Sequence, residues 1–279
     1  MSNIRRTVEK RQEWGAWAGS VAELRRIGEM VEQSCLRRRV AILAMFDEKT
    51  REILEEMGDD RARYREEMNR QLSRESLARS LDMKATIVDG DDKVSGPLDI
   101  LGELDRRTVE CVQFEAECFD RTFRERVFVE FKKPHRSWES GARLVVESSD
   151  QGWGRQIFVS VAEQIEKGVP RWQFVHNFPR GTPLLFLIVY IVLYFPSIVA
   201  LLPTFGEMDS GSLVSANILL YLVCLGATFL LTQHKVRAWV FPQFDITSEM
   251  GDSTGSRRLI YIATLLASIP TGILVNLIS

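Results

Sequence analysis

The sequence predicts a membrane protein of mixed class, with an α+β cytoplasmic region followed by a C-terminal α-helical transmembrane bundle of two or three spans. Charged residues crowd the first two thirds of the 279-residue chain, whereas the segment after Pro183 is strongly apolar. The near-neutral mean hydropathy of −0.08 averages these two unlike parts. Within the polar part, apolar residues change from helical to strand-like spacing near Met83. The cytoplasmic region is therefore expected to contain N-terminal amphipathic helices, then a small antiparallel sheet with a packed helix.

Residues 1–82 are predicted to form amphipathic helices. From Trp14 onward, apolar residues recur at steps of three and four, which places them on one stripe of a helix, with Arg38 as an exception inside that stripe. Gly58 ends this helix, and a second helix is expected over 59–81. A hairpin within one chain and a coiled coil between chains are both compatible with this pattern.

Residues 83–170 are predicted to form a small α+β domain. Runs of alternating apolar and polar residues favour strands, and polar turn residues separate them. The candidate strands are 85–88, 108–119, 126–132 and 143–147, with a short helix in 97–104 and a last helix in 153–167. That order is typical of an antiparallel sheet with the last helix packed on one face. A linker, 171–182, follows.

The region 183–279 is predicted to cross the membrane, because it holds uncharged apolar runs of about the 20 residues that a span requires. The expected spans are 183–205, 213–232 and 259–278, joined on the cytoplasmic side by 233–258. Basic residues flank the first and third spans, whereas the first connection is acidic, so a multi-pass protein of the cell membrane with a cytoplasmic N-terminus is expected. The cytoplasmic loop, with a strand-like stretch at 236–244, is expected to fold back on the cytoplasmic domain or to lie at the membrane interface.

Two groups of residues are candidate sites. A polar, glycine-rich loop precedes the last helix of the domain and is a candidate anion- or ligand-binding loop, since helix N-termini attract anions; the alternative is an ordinary N-cap by Ser149 or Asp150. The loop residues are Ser148, Ser149, Gln151, Gly152, Gly154 and Arg155. Small or polar residues within the spans are candidates for helix packing or for lining a pore. They are Ser215, Asn217, Gly226, Thr228, Thr264 and Ser268.

No catalytic motif, cofactor or metal site is predicted. The four cysteines are scattered, the histidines lack partners at ligand spacing, and no phosphate- or dinucleotide-binding glycine pattern occurs. The predicted function is a non-enzymatic, membrane-anchored sensor or effector that binds an unknown cytoplasmic ligand or protein partner. An oligomeric channel or pore subunit is the first alternative, and a membrane-bound enzyme the second. The expected partners are the lipid bilayer and further copies of the chain; nucleic acid is not expected.

Overall fold

The computed structural model describes residues 7–57, 74–106, 108–119, 124–133, 139–176, 181–205, 210–247, 255, 258–261 and 263. The chain divides into two compact units. The first, called the sheet unit, comprises Met1–Lys133, Ser140–Val169 and Phe244–Ile246. The second, called the helical unit, comprises Pro134–Glu139, Pro170–Gln243 and Thr247–Ser279. The predicted boundary between residues 82 and 83 therefore falls inside one unit.

A six-stranded antiparallel sheet forms the centre of the sheet unit. The strands are β1 Val8–Trp14, β3 Lys84–Asp89, β4 Asp92–Gly96, β5 Cys111–Phe119, β6 Arg124–Lys132 and β7 Ala142–Ser148. Their order across the sheet is β1-β7-β6-β5-β3-β4. The α+β class and the antiparallel sheet are thus confirmed, and the four predicted strands correspond to β3, β5, β6 and β7. A tight turn joins β3 to β4, and Gly90 adopts a φ of 58° there.

Two helices cover the core face of this sheet. They are α1, Val21–Met57, and α3, Gln151–Lys167, and the short α2, Arg74–Ala78, packs beside α1. The apolar stripe of α1 meets the inward-facing residues of the strands, as do Ile157, Val161 and Ile165 of α3. Most of the predicted second helix, residues 59–73 of 59–81, lies outside the described residues.

The N-terminal helix begins later than predicted, because Trp14 and Trp17 belong to strands rather than to the helical stripe. Trp14 ends β1, and Trp17 begins β2, Trp17–Gly19. Helix α1 starts after a capping box at Ser20. The Ser20 Oγ accepts a hydrogen bond from the Glu23 N–H (3.2 Å), and the Glu23 carboxylate accepts one from the Ser20 N–H (2.7 Å). This exchange satisfies two backbone donors that the helix leaves open, which favours a start at this point.

The fold-back of the late segment is confirmed for β8, Phe244–Ile246, which pairs in parallel with β2 inside the sheet unit. Its Phe244 ring joins an aromatic cluster with Trp17, Phe131 and Phe114, in which neighbouring ring centroids lie 4.6–6.4 Å apart. The predicted strand over 236–244 is wrong in its first part, because residues 234–240 form a helix.

The helical unit contains α4 Gly181–Phe205, α5 Ser210–Leu231 and α6 His234–Val240. Helices α4 and α5 pack against each other, with Val189, Leu193 and Cys224 buried between the elements of this unit. The tyrosines Tyr190, Tyr194 and Tyr221 form a cluster whose ring centroids are 5.3–6.2 Å apart.

The predicted transmembrane bundle is corrected by the structure: within the described part of the chain, no helix is both long and apolar enough to span a bilayer. A span requires about 20 consecutive apolar residues. Side chains are described without a gap only over 185–195 in α4 and over 217–229 in α5. Most of the predicted third span, 259–278, lies outside the described residues. The predicted multi-pass location at the cell membrane is overturned by the same finding.

Candidate functional site

The predicted loop before α3 is built around Asp150, the N-cap of that helix. The Asp150 Oδ1 accepts hydrogen bonds from the Gly152 N–H (2.9 Å) and the Trp153 N–H (3.1 Å). Its own N–H donates to the Ser148 Oγ at 2.9 Å. The donors that would hold an anion at this helix end are thus already engaged by a carboxylate of the chain itself. An external anion has to compete with Asp150 for them, and anion binding by the loop stays a prediction.

The other loop residues have separate surroundings. Gly154 is buried, and a Cβ at this position would lie 2.9 Å from the Ser148 Cβ, so the glycine permits the close approach of α3 to β7. Gln151, Gly152 and Arg155 are exposed. Ser149 donates a hydrogen bond to the Glu125 carboxylate at 2.8 Å, which ties the loop to the interior of the sheet unit.

A buried ion-pair cluster lies beneath this loop. The Arg38 Nη2 is 2.7 Å from the Glu125 Oε1, and the Arg38 Nη1 is 2.7 Å from the Asp150 Oδ2. Arg38 and Glu125 are 7% and 0% exposed, and the guanidinium also lies 5.7 Å from the centre of the Trp153 ring. Glu125 occupies an inward-facing position of β6, and the other inward-facing residues of that strand, Val127, Val129 and Phe131, are apolar. Arg38 is thus the exception in the helical stripe because it neutralises a carboxylate in the core.

This cluster connects three elements, α1, β6 and the start of α3, because the single Arg38 guanidinium pairs with the carboxylates of both Glu125 and Asp150. Buried ion pairs of this kind fix the relative position of the elements that carry them, since separation leaves an uncompensated charge in the interior. The adjacent Arg39 forms an ion pair with Asp82. Two members of the arginine triple at 37–39 are therefore engaged internally, which argues against a basic surface for anionic partners.

The candidate residues in the helical unit have local contacts. Asn217 Oδ1 accepts a hydrogen bond from the Tyr194 hydroxyl at 3.1 Å, which links α5 to α4. Thr228 donates to the Cys224 carbonyl one turn earlier in the same helix. Ser215 is exposed, and among the described residues no atom lies within 4 Å of a Cβ placed on Gly226, so close helix packing at that glycine is not observed. Thr264 and Ser268 lie outside the described residues.

The cysteines are free thiols in the described structure. Burial raises the pKa of the Cys35 thiol to about 12, and burial together with the nearby Glu130 carboxylate raises the pKa of Cys111 to about 12. Over the part of the chain that the structure describes, no group of three His, Cys, Asp or Glu residues is placed to hold a metal ion.

Cys35 and Cys111 are expected to resist alkylation in the native protein. Thiolate is the reactive form, so a rise in pKa from 9.0 to about 12 lowers the reactive fraction at pH 8 by about 1000-fold. Mass spectrometry of iodoacetamide-treated protein measures the rates, with the urea-unfolded chain as control. Native rates within about threefold of the unfolded rates would contradict the expectation. The raised pKa values also make stability depend on pH, because the folded protein binds protons at these thiols more tightly than the unfolded chain does. The stability that the two protonated thiols contribute is fully present below pH 9.0 and is lost as the pH rises towards 12.

An open cleft of about 490 Å³ lies in the sheet unit between α1 and the hairpin of β3 and β4. Its lining comprises Glu32 and Leu36 of α1, the segment 81–84, and the segment 95–97 that ends β4. Leu81 and Met83 are buried and give the cleft an apolar floor. Lys84, Asp82 and the partly exposed Glu32 provide charges of both signs at its rim. Neither Glu32 nor Lys84 forms an ion pair with any residue that the structure describes.

The floor of this cleft holds an unusual backbone conformation. Leu81 adopts a φ of 57°, which non-glycine residues rarely occupy, and its N–H donates to the Glu117 carbonyl at 3.0 Å. The Arg39 side chain bonds to Asp82 and to the Ser80 carbonyl on either side of it. Strained residues that neighbouring contacts hold in place concentrate at binding sites. This cleft was not predicted from the sequence, because its walls are separated by about fifty residues of chain and no local motif links them.

Comparisons with known proteins give no match: no family model fits the chain, and no curated protein or solved structure is significantly similar to it. The functional assignment therefore depends on the geometry of the cleft and of the surrounding residues.

Proposed function

We propose that this chain is a non-enzymatic binding protein, and that its ligand site is the cleft between α1 and the β3–β4 hairpin. The observation that carries the proposal is the combination of an apolar floor with charges of both signs at the rim, Glu32 and Lys84, that form no ion pair with a described residue. A volume of about 490 Å³ falls within the range of small-molecule sites, roughly 300–1,000 Å³. The apolar floor supplies affinity through burial, and the rim charges orient the ligand.

The ligand class that fits this lining is an amphipathic small molecule with an apolar body and at least one charged end. Its apolar part would cover Leu36, Leu81 and Met83. A cationic end would lie near Glu32, and an anionic end near Lys84, because each of these side chains is at the rim. Asp82 is the weaker candidate for ligand contact, since Arg39 already neutralises it.

A fragment screen with a matched pair of variants tests the proposal. Leu36→Trp places an indole in the cleft, whereas Val40→Trp adds the same group one turn further along α1, at a residue that is 67% exposed and outside the lining. Ligand-observed NMR with small aromatic and aliphatic amines and acids would identify binders. We expect fragments that bind the wild-type and Val40→Trp proteins but bind Leu36→Trp at least about tenfold more weakly. If no fragment shows this pattern, the cleft is not a ligand site.

A further inference from the structure

Strand β4 forms one edge of the six-stranded sheet, and among the strands that the structure describes it pairs only with β3. The two strands match residue for residue, from Asp89 opposite Asp92 to Ala85 opposite Gly96, so no bulge distorts this edge. All side chains of β4 are exposed or half-buried. A flat, open edge of this kind is a template for a further strand, and natural proteins usually block it with bulges, prolines or a covering segment.

The geometry of the β3–β4 hairpin identifies the backbone groups at the open edge. Its loop has two residues, 90–91, and in such a hairpin the flanking pair, here Asp89 and Asp92, is hydrogen-bonded. Hydrogen-bonded and non-hydrogen-bonded pairs then alternate along an antiparallel ladder. Lys93 and Ser95 fall in non-hydrogen-bonded pairs, so their N–H and C=O groups point away from β3.

Two observations support this orientation. The Val88 carbonyl, opposite Lys93, accepts a hydrogen bond at 2.8 Å from the N–H of Glu110, the residue before β5, so the backbone of Val88 faces β5 and not β4. Within the described part of the chain, no backbone group bonds to the outward N–H and C=O groups of Lys93 and Ser95. These groups are therefore available to pair with another extended segment.

The open edge adjoins the cleft between α1 and the β3–β4 hairpin. Ser95, which presents backbone groups at the edge, lines this cleft together with Gly96 and Pro97. The buried Leu81 and Met83 form the apolar floor of the same cleft. A strand added beside Ser95 therefore lies at the wall of the cleft.

We propose that an extended peptide binds here, adding a strand beside β4 and inserting one apolar side chain into the cleft. This mode of binding rests on the proposed function of the cleft, and it makes a peptide side chain the apolar group that fills it. Each backbone hydrogen bond to the peptide replaces one to water, so the edge groups alone contribute little net affinity. Burial of the apolar side chain over Leu81 and Met83 supplies the larger part. The backbone bonds are independent of peptide sequence, whereas the cleft selects the residue that enters it.

A phage-displayed library of short random peptides, selected on the immobilised full-length protein, supplies the probes, and fluorescence anisotropy of labelled synthetic peptides measures their affinity. Lys93→Pro removes an outward N–H without breaking a bond to β3, and it is expected to weaken peptide binding at least about tenfold. The matched control is Lys93→Ala, which loses the same side chain but keeps the N–H and should stay within about threefold of wild type. Leu36→Trp, which fills the cleft, should weaken binding at least about tenfold. Circular dichroism checks that the variants are folded.

A second measurement leaves the protein unchanged and modifies the peptide. N-methylation of each peptide residue in turn removes one N–H at a time. Successive N–H groups of a strand point to opposite sides, so N-methylation at every second residue is expected to lower the affinity at least about tenfold, and at the intervening residues by about threefold at most. Losses without this alternation would overturn the addition of a strand.

The remaining outcomes separate this peptide site from the cleft itself. Fragments that bind the cleft while no peptide is selected would overturn the peptide site and leave the proposed function intact. Absence of both fragment and peptide binding would overturn the two together. Peptide binding that Lys93→Pro leaves unchanged would exclude pairing at β4. Self-association of the peptide-free chain that Lys93→Pro abolishes would show that a second copy, rather than a peptide, occupies the edge.

Discussion

Replacing Arg38 by methionine is expected to destabilise the protein by about 3–5 kcal/mol, because it leaves a buried carboxylate without its cation. Glu125 is fully buried, and its Oε1 depends on Arg38 and on the Ser149 hydroxyl. Its Oε2 is buried and has no hydrogen-bond partner among the described residues, so the neutral Ser149 hydroxyl is the one donor to this carboxylate that remains among them. Urea denaturation followed by circular dichroism measures the change in the free energy of unfolding.

Two variants separate this effect from other consequences of losing an arginine. Arg37→Met changes the exposed neighbouring residue and is expected to alter stability by less than about 0.5 kcal/mol. The double variant Arg38→Met, Glu125→Met removes both charges and is expected to recover most of the lost stability, since an apolar pair often replaces a buried ion pair without net cost. A loss below about 1 kcal/mol for Arg38→Met alone would show that the ion pair is not buried as described.

Phe244→Ala is expected to destabilise the sheet unit by about 3–5 kcal/mol, the usual cost of removing a buried phenyl ring. The ring is 1% exposed and lies 6.1 Å from the Trp17 ring and 6.3 Å from the Phe131 ring. Since β8 contributes only three residues to the unit, this ring is its main apolar contribution to the core. Thermal and urea denaturation, followed by tryptophan fluorescence, measure the change.

The matched control is Phe119→Ala, at a ring that is 49% exposed on the same unit. It is expected to cost less than about 1 kcal/mol, because a half-exposed ring leaves no cavity. Equal effects of the two substitutions would contradict the parallel pairing of β8 with β2. They would show that residues 244–246 lie at the surface rather than in the core.

Several elements followed from local patterns in the sequence. Strands β5, β6 and β7 were predicted because alternating apolar residues produce a buried face whichever strand lies beside them. Helix α3 was predicted because its apolar residues recur at steps of three and four, which produces one buried side on a helix. For the loop before α3, the sequence left two interpretations open, an anion-binding loop and an ordinary N-cap by Ser149 or Asp150. The structure confirms an N-cap by Asp150. Strand β4 was missed, because all of its side chains are exposed or half-buried and its residues show no buried pattern.

The errors arose where local patterns are ambiguous. Trp14 and Trp17 fit the helical stripe by spacing, but the capping box at Ser20 starts the helix after them, and the pairing of β1 with β7 and of β2 with β8 accounts for both tryptophans. Apolar runs in the second half of the chain predicted membrane spans. Within the described residues, no helix is both long and apolar enough to span a bilayer.

The sequence by itself determined the α+β class of the sheet unit and the positions of its central strands and of α3. Only the tertiary structure decided which residue neutralises Arg38, where β8 pairs and where the cleft lies. Periodicity is a property of neighbouring residues, so a single segment reveals it. Charge neutralisation, parallel pairing and concave surfaces depend on residues far apart in the chain, as with Arg38 and Glu125 or Trp17 and Phe244. These features exist only once the chain has brought such residues together.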